Sequence, residues 1–287
     1  MKEIIFNADD FGLSSGANRG IIKAWREGVL TSTSLMPGGA AFDEAVALAA
    51  ANPGLQVGVH ITLVQGRSVL QHPGSPSLAP GGDFGNNPVR EGMRYFFLKS
   101  LRPQLEAEIE AQIRKCVDAG IRLTHVDGHL NIHMHPTVFD ILTELMPKYG
   151  ISTFRLSREN LAAELSVARN RVVGKYADAF IFSRLADRCR TALDRLGIRY
   201  AGEVKGLLNS GKMTEEYLLK ALGTVREELT EIYFHPGCRP CGELDRWMPE
   251  YRHDDEVAAL TSPAVRRRMA ELGLRLRNYR GEEKTYA

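Results

Sequence analysis

Short apolar runs alternate with longer amphipathic segments along most of the chain. The short runs predict strands at residues 3–6, 31–35, 56–63, 122–126, 153–156, 200–204, 231–234 and 275–279. The segments with helical spacing predict helices at 16–27, 42–51, 103–119, 136–149, 176–196, 214–222 and 263–272. This β–α alternation is typical of a parallel sheet, and about eight strands favour a closed or partly closed (β/α) barrel over an open doubly wound sheet.

The organisation along the chain predicts a single domain covering residues 1–287, because no internal repeat or low-complexity linker interrupts it. Pro136 and Pro263 suit the first position of a helix, and Ser262 is a plausible N-cap. The Gly- and Pro-rich residues 73–87 predict a long loop after the third strand, and such loops are often functional or mobile.

Composition narrows the class of protein. The 287 residues are 44% hydrophobic and 25% charged, and a net charge of +2 does not suggest nucleic-acid binding. No run of about 18 apolar residues occurs, and the N-terminus has no signal-peptide pattern. We therefore expect a cytoplasmic protein with reduced cysteines. Cys238 and Cys241 form one CxxC without a second ligand pair, so we interpret it as incidental, with a redox or metal-binding role as the lesser alternative.

Two adjacent carboxylates, Asp9 and Asp10, follow the first apolar run in the sequence Asn-Ala-Asp-Asp-Phe-Gly. One carboxylate that holds a metal beside one that acts as a base is a common hydrolytic arrangement. A solvated turn explains this stretch equally well when it is considered alone.

Four histidines and an aspartate lie within eleven residues between Thr124 and Pro136. His125, Asp127 and His129 are spaced by two, so they share one face while the strand lasts. Imidazole and carboxylate groups together suit zinc and similar divalent ions. A histidine-rich surface loop is the less favoured alternative, because apolar residues are interleaved and a strand precedes the segment.

His60 and His235 are isolated histidines near the ends of two other predicted strands. A satisfied core histidine is the more common explanation for a residue like His60, and a turn residue explains His235 equally well. His72 and His253 are assigned no role. The carboxylate pair, His60, the histidine segment and His235 all fall at carboxyl ends of separate strands. In a parallel barrel those ends gather on one face, so we expect one pocket there.

These four motifs in order resemble the YdjC-like carbohydrate deacetylases, a family that includes diacetylchitobiose deacetylases, from Lys2 to about Gly237. The resemblance implies a distorted (β/α) TIM-like barrel of mostly parallel strands, with the active site at the C-terminal strand ends. It also implies one divalent metal ion, Zn²⁺ or Mg²⁺, held by Asp10, His60 and His129.

The same resemblance implies a hydrolase that removes the N-acetyl group of an N-acetylglucosamine-type amino sugar by cleaving a linear amide C–N bond. Asp9 would be the catalytic base and His235 the acid. The remaining members of the histidine segment would be supporting or substrate-facing groups, and these are His125, Asp127, His133 and His135.

Residues 93–98, 104–109 and 259–265 further resemble the hopanoid-biosynthesis-associated branch of the family, which implies an N-acetylglucosaminyl hopanoid substrate. Deacetylation of chitobiose-type oligosaccharides is one alternative. A metal-dependent phosphoesterase is another, less favoured because the motifs contain few cations. A non-enzymatic metal- or carbohydrate-binding module would need neither Asp9 nor His235.

A lipid-linked substrate would need apolar surface near the pocket. Residues 95–98 and 247–248 supply candidates, although packing in the core is favoured for both. The stretch from Arg169 to Arg195 mixes apolar and basic residues, which indicates membrane-surface association as a hypothesis. An ordinary helix packed on the barrel is favoured. The sequence does not determine the oligomeric state, and a homodimer is only a working assumption.

Overall fold

The computed structural model describes residues 2–71 and 76–284. The strands are β1 (Glu3–Phe11), β2 (Ser32–Leu35), β3 (Gln56–Ile61), β4 (Val126–Gly128), β5 (Glu203–Lys205), β6 (Leu229–Phe234) and β7 (Arg275–Leu276). The α-helices are α1 (Ser15–Glu27), α2 (Phe42–Ala50), α3 (Pro88–Phe97), α4 (Arg102–Asp118), α5 (Pro136–Lys148), α6 (Leu161–Val167), α7 (Val172–Leu196), α8 (Glu215–Leu222), α9 (Glu243–Trp247), α10 (His253–Thr261) and α11 (Pro263–Glu271). Short 3₁₀ turns cover Pro80–Gly82, Lys99–Leu101 and His129–Met134.

The strands pair in parallel in the order β4–β3–β2–β1–β6–β5, with β7 beside the start of β1. The two edges are joined through an irregular segment. Val126 of β4 forms a bridge with Phe154, and Thr153 forms a bridge with Arg199, from which the chain continues into β5. The sheet therefore curls into a distorted parallel (β/α) barrel, which confirms the predicted fold class.

Several predicted strands differ in detail from the observed ones. β1 extends beyond the predicted 3–6 to Phe11, so Asp9 and Asp10 lie within the strand, and the run at 122–126 overlaps β4 only at Val126. The run at 275–279 forms only the short β7, which pairs with Glu3 and Ile4 and does not extend the ring. The runs at 153–156 and 200–204 supply the closing bridges and the start of β5. Of the predicted loop at 73–87, residues 73–75 lie outside the described part of the chain, and the remainder includes the Pro80–Gly82 turn.

Local chemistry explains where several helices begin. The side chain of Ser14 caps α1 by accepting a hydrogen bond from the Ala17 N–H, and Ser262 caps α11 as predicted. Asn87 caps α3, with Pro88 at the first helical position, although this helix was not predicted. None of the described helices is long and apolar enough to cross a membrane.

The two faces of β1 meet different surroundings. Ile4, Phe6 and Ala8 belong to the hydrophobic core that fills the space between the sheet and the helices. The alternate residues Asn7 and Asp9 are also buried, but they hydrogen-bond to polar partners. Because side chains alternate along a strand, the barrel interior at this level is polar and can hold charged groups.

A prediction follows from the close packing of His125 against β3. Replacing Gly58 with alanine would place a Cβ within 2.6 Å of ring carbon Cδ2 of His125. The ring cannot retreat freely, because it is stacked on Tyr279 with 3.7 Å between ring centroids. We expect Gly58→Ala to lower the free energy of unfolding by about 2–3 kcal/mol, measured by urea denaturation.

The matched control is Gly92→Ala in α3, where the new Cβ would meet its nearest neighbour at an ordinary 3.7 Å. Alanine is favoured over glycine within a helix by about 1 kcal/mol, so this variant should be as stable as the wild type or slightly more stable. Equal stabilities of the two variants would contradict the packing argument.

Candidate active site

Asp9 and Asp10 lie at the carboxyl end of β1, where the strand is irregular. The register between β1 and β2 shifts between Ala8 and Phe11, and Asp10 has a left-handed φ of 65°. Neighbouring side chains of a regular strand point to opposite faces, but this bulge breaks the alternation. Both carboxylates therefore reach the same region at the end of the barrel.

Asp10, His60 and His129 form a buried group whose ligand atoms all lie within 4.8 Å of one another. Nδ1 of His129 is 3.1 Å and Nε2 of His60 is 3.4 Å from Oδ1 of Asp10. Within residues 2–71 and 76–284, Oδ2 of Asp10 and Nε2 of both histidines are buried without a hydrogen-bond partner. Such unpaired buried atoms are costly, and two imidazoles with a carboxylate are a common zinc ligand set. These residues therefore fit a divalent metal ion.

His60 is held between two carboxylates. Its Nδ1 lies 2.8 Å from Oδ1 of Asp127, while its Nε2 faces Asp10. Burial alone would lower the pKa of His60, but the charge of Asp127 and hydrogen bonds with both aspartates raise it to about 10. Burial likewise opposes ionisation of Asp10, yet His129 and His60 hold the pKa of Asp10 well below its usual value.

One buried guanidinium organises the carboxylates behind this group. Arg155, which is 1% exposed, donates to both oxygens of Asp9 at 2.7 Å each. It also lies 2.8 Å from Oδ2 of Asp127 and donates to Oε1 of Glu231 at 2.6 Å. Burial would lower the pKa of Arg155, but these carboxylates raise it well above its usual value. Arg155 therefore stays charged and fixes the orientation of Asp9.

A second group of ligand atoms within 4.8 Å of one another consists of Asp9, His60 and Asp127. Its two carboxylates already bind Arg155, and Asp127 also accepts a 2.5 Å hydrogen bond from Ser34. The group that contains Asp10 is therefore the better fit for a divalent metal ion. Asp127 supports that group, because it binds Nδ1 of His60, the ring nitrogen that does not face Asp10.

The other three histidines of the segment occupy different places. His125 lies deeper in the barrel, with Nε2 3.1 Å from the Ser34 hydroxyl. His133 is also buried, and its Nε2 lies 2.9 Å from the carbonyl oxygen of Arg155. His135 lines the cavity described next, where its Nε2 lies 3.0 Å from the Gly92 carbonyl oxygen.

A cavity of about 460 Å³ opens over the carboxylate–imidazole group. Its polar lining includes Asp9, His60, His129, His135, Tyr233, His235 and Tyr251, and its apolar lining includes Val89, Ile132, Ile181, Phe182, Leu185, Leu207 and Met248. No lysine or arginine occurs among the described residues that line it. The cavity therefore combines a floor of carboxylate and imidazole groups with largely apolar walls.

The structure brings His235 into this cavity, although the residue is distant in sequence from the other site residues. Burial lowers the pKa of His235 to about 4, against the charges of Asp10 and Asp9. The imidazole is therefore neutral at neutral pH. Its Nδ1 atom is buried and has no hydrogen-bond partner.

Several residues that shape the site were not identified from the sequence. The most important is Arg155, and a charged residue between Phe154 and Leu156 in a predicted strand was the signal that could have indicated it. Glu231 had the same signal in the strand that ends at Phe234. Tyr251 lies in a segment without regular structure and carried no signal.

Comparison with known proteins agrees with the resemblance seen in the motifs. The family model described as YdjC-like protein matches residues 3–271. A carbohydrate deacetylase of Brevibacillus brevis is 41% identical over 150 residues, which are 52% of this chain and 57% of that protein. A carbohydrate deacetylase of Listeria monocytogenes serotype 4a is 41% identical over 158 residues, or 54% of this chain and 61% of that protein. The chain thus spans less than two thirds of the length of these curated relatives.

Among solved structures, a protein of Enterococcus faecalis V583 described as a cellobiose-phosphate cleavage protein has a similar fold. The TM-score is 0.75 at 26% sequence identity, and the match covers 97% of this chain and 98% of the other. The similarity extends over the whole barrel, which supports the architecture described above.

The high pKa of His60 leads to a prediction about metal uptake. Because the pKa of His60 is about 10, the metal-free His60 ring is protonated at neutral pH. A nitrogen that binds a metal must lose its proton. We expect Zn²⁺ binding at neutral pH to release about one proton per ion and to weaken as the pH falls. Calorimetric titration in buffers of different ionisation enthalpy measures this release.

His133→Gln is the matched control, because burial lowers the pKa of His133 to about 4 and the ring is already neutral. This variant should release as many protons as the wild type, whereas His60→Asn should release fewer and bind Zn²⁺ weakly. Proton release that is unchanged in His60→Asn would rule out His60 as the source.

Proposed function

This chain belongs to the YdjC-like family, and from that membership and its buried metal-ligand group we propose that it is a metal-dependent carbohydrate N-deacetylase. Its reaction is hydrolysis of the N-acetyl group of an N-acetylglucosamine-type amino sugar to a free amine and acetate. The observation that carries the proposal is the Asp10–His60–His129 group beside Asp9, a carboxylate that Arg155 holds in place. The carbohydrate deacetylases that resemble part of the chain support this reaction class.

Asp10, His60 and His129 would hold one divalent ion, and the two imidazoles favour Zn²⁺ over Mg²⁺. Such an ion, when bound, polarises an acetyl carbonyl and lowers the pKa of water. Asp127 keeps His60 in the orientation that directs Nε2 toward Asp10. We therefore expect the acetyl group of a substrate to lie next to Asp9.

We assign to Asp9 the role of general base. Oδ1 of Asp9 accepts hydrogen bonds from both Arg155 and Asn7, whereas Oδ2 accepts only one, from Arg155. A carboxylate oxygen has about two acceptor sites, so Oδ2 retains one for the attacking water. Because Arg155 binds both oxygens of Asp9, it fixes the direction in which the free acceptor site points.

His235 is the proposed acid. The amine is a poor leaving group unless its nitrogen is protonated, and His235 lines the same cavity as Asp9. Because His235 is neutral before the reaction, it must first gain a proton, and the proton that Asp9 removes from water is the source. The proton then passes to the leaving nitrogen, so each turnover restores both residues.

The cavity lining favours an amide substrate over a phosphoester. Phosphoryl-transfer sites commonly contain arginine or lysine clamps, and the described residues that line this cavity include neither. Arg155 lies beneath it, fully engaged with three carboxylates. Phosphoester cleavage therefore has less support here than deacetylation.

Within the class of N-acetylated amino sugars, we propose that the substrate is an N-acetylglucosaminyl hopanoid intermediate. Chitobiose-type oligosaccharides are the alternative. Apolar side chains are exposed on two of the helices that line the cavity, and we call these side chains the apolar rim. Helix α3 contributes Val89 to the lining, and its Phe97 side chain is 63% exposed. Helix α7 contributes Ile181, and its Phe180 side chain is 69% exposed. An exposed apolar rim of this kind suits a lipid-linked sugar better than a free oligosaccharide.

The same rim supports the proposal of membrane-surface association. Only Tyr95 of residues 95–98 is buried, so this stretch does not pack in the core as a whole. α7 buries Ala186, Cys189 and Leu193, but its first half exposes apolar residues. Exposed basic residues lie nearby at Arg90, Lys99, Arg169, Arg171 and Arg184 and would attract anionic lipid. The cytoplasmic location and the homodimer stay predictions.

The division of roles between the two aspartates is the decisive test of the reaction. We expect Asp9→Asn to retain Zn²⁺ and lose about 100- to 10,000-fold in acetate release, the range for a general base. Asp10→Asn should lose the metal as well. Acetate release from N-acetylglucosamine compounds, with and without chelator, and metal content by mass spectrometry measure both properties.

The control is Asp83→Asn, an exposed carboxylate paired with Arg67 away from the cavity, which should change neither property. Equal metal content and full activity in both Asp9→Asn and Asp10→Asn would refute the assignment. Acetate release that is unaffected by chelator would refute metal dependence.

Substrate choice is tested on the apolar rim. We expect Phe97→Ser to weaken binding to vesicles of anionic lipid by about 30-fold, since burial of a phenylalanine contributes about 2 kcal/mol. Turnover of a lipid-linked N-acetylglucosamine should fall in parallel, while turnover of diacetylchitobiose stays unchanged. Val117→Ser, an exposed apolar position on the remote α4, is the control. Equal loss on both substrates would point to a soluble oligosaccharide.

A further inference from the structure

Among the residues that the structure describes, no hydrogen-bonding side chain orients the imidazole of His235. Its Nδ1 is buried and unpartnered, and its neighbours in the cavity are aromatic rings. The ring centroids of Tyr233 and Tyr251 lie 5.7 Å and 5.1 Å from that of His235, in edge-on contact. A functional histidine is usually oriented by a hydrogen bond to its second nitrogen, so its position here must be fixed differently.

The peptide groups of His235 are held on both sides by α10. The N–H of His235 donates to Oε2 of Glu256 at 2.5 Å, and its carbonyl oxygen accepts a hydrogen bond from Nδ1 of His253 at 2.7 Å. Glu256 and His253 are three residues apart, so they lie on one face of the helix. Together they form a clamp on a single residue, which we call the α10 clamp.

The surroundings of the Glu256 carboxyl group indicate that its contact with His235 has more than a structural role. The carboxyl group is fully buried, and its partners are two backbone N–H groups, those of His235 and Met213, rather than a cation. Burial raises the pKa of Glu256 to about 7. A buried carboxylate without a cation is destabilising compared with a neutral group of the same shape, so a purely structural role would be served better by a neutral residue.

We propose that Glu256 and His253 are positioning residues that orient His235 through its peptide groups. The proposal rests on the proposed function insofar as His235 is the proton donor. A displacement of about 1 Å at a reacting group can cost about 100-fold in rate. Loss of either clamp bond should therefore affect turnover while the metal ligands on the other strands remain in place.

The test compares substitutions that remove one clamp bond with substitutions that keep it. Glu256→Gln preserves size but leaves one acceptor oxygen for two backbone N–H groups, those of His235 and Met213, so the hydrogen bond to His235 is lost or weakened. His253→Leu removes the donor to the His235 carbonyl, whereas His253→Asn retains a donor near the position of Nδ1. Glu108→Gln is the matched control, because Glu108 is also a fully buried carboxylate that accepts backbone N–H groups, those of Val69 and Leu70.

We expect Glu256→Gln and His253→Leu to lower kcat on an N-acetyl sugar by about 10- to 100-fold, with KM and Zn²⁺ content unchanged. His253→Asn and Glu108→Gln should retain most of kcat. On p-nitrophenyl acetate, whose leaving group needs no proton, all four variants should match the wild type. An equal loss on both substrates would overturn the positioning role.

A second measurement does not depend on activity. NMR relaxation of the Cε1–H group of His235 should show a more mobile ring in Glu256→Gln and His253→Leu. The mobility of the ring should be unchanged in His253→Asn and Glu108→Gln. Unchanged relaxation in all four would overturn the clamp. If the wild type released no acetate from any N-acetyl sugar, the proposed function would fail, while this measurement would still decide whether α10 orients His235.

Discussion

The buried guanidinium of Arg155 is the interaction on which the rest of the site depends. Burial of an arginine is costly unless every charge around it is compensated, and here three carboxylates from different strands converge on it. These carboxylates would otherwise repel one another in a low-dielectric interior. Arg155 thus lets the barrel keep Asp9, Asp127 and Glu231 within a few ångströms. In doing so it ties the irregular closing segment to both halves of the sheet.

The charge balance around Arg155 explains why the neighbouring group suits a metal. When Glu231 is left out, the buried aspartates Asp9, Asp10 and Asp127 carry three negative charges, and Arg155 carries one positive charge. Two negative charges are therefore uncompensated in buried surroundings. A divalent ion on Asp10 would neutralise them. In its absence, the proton on His60 supplies part of the missing positive charge, which is the physical reason for the raised pKa of that ring. The ligand set and the local charge thus favour the same occupant.

The sequence predicted the barrel and the residues of its floor, because both depend on local signals. Apolar runs marked the strands, and polar side chains at the ends of those runs marked the face on which His60, His129 and His235 meet. Arg155 and Glu231 were missed because a single charge in an apolar strand shows its partners only after the strands are placed around the ring. The bulge at Asp10 was missed because a left-handed aspartate has no distinctive pattern. The clamp from α10 depends on contacts between residues 18 and 21 positions apart, which no periodicity reveals.

Two independent scaffolds hold the groups proposed to move protons. Asp9 is fixed from within the barrel by Arg155, whose other bonds reach the strands beneath the cavity. His235 is fixed from outside the barrel by α10, through its own backbone. A substrate between them meets a proton acceptor and a proton donor that share no hydrogen-bonding side chain in the described part of the protein. Movement of one therefore need not displace the other.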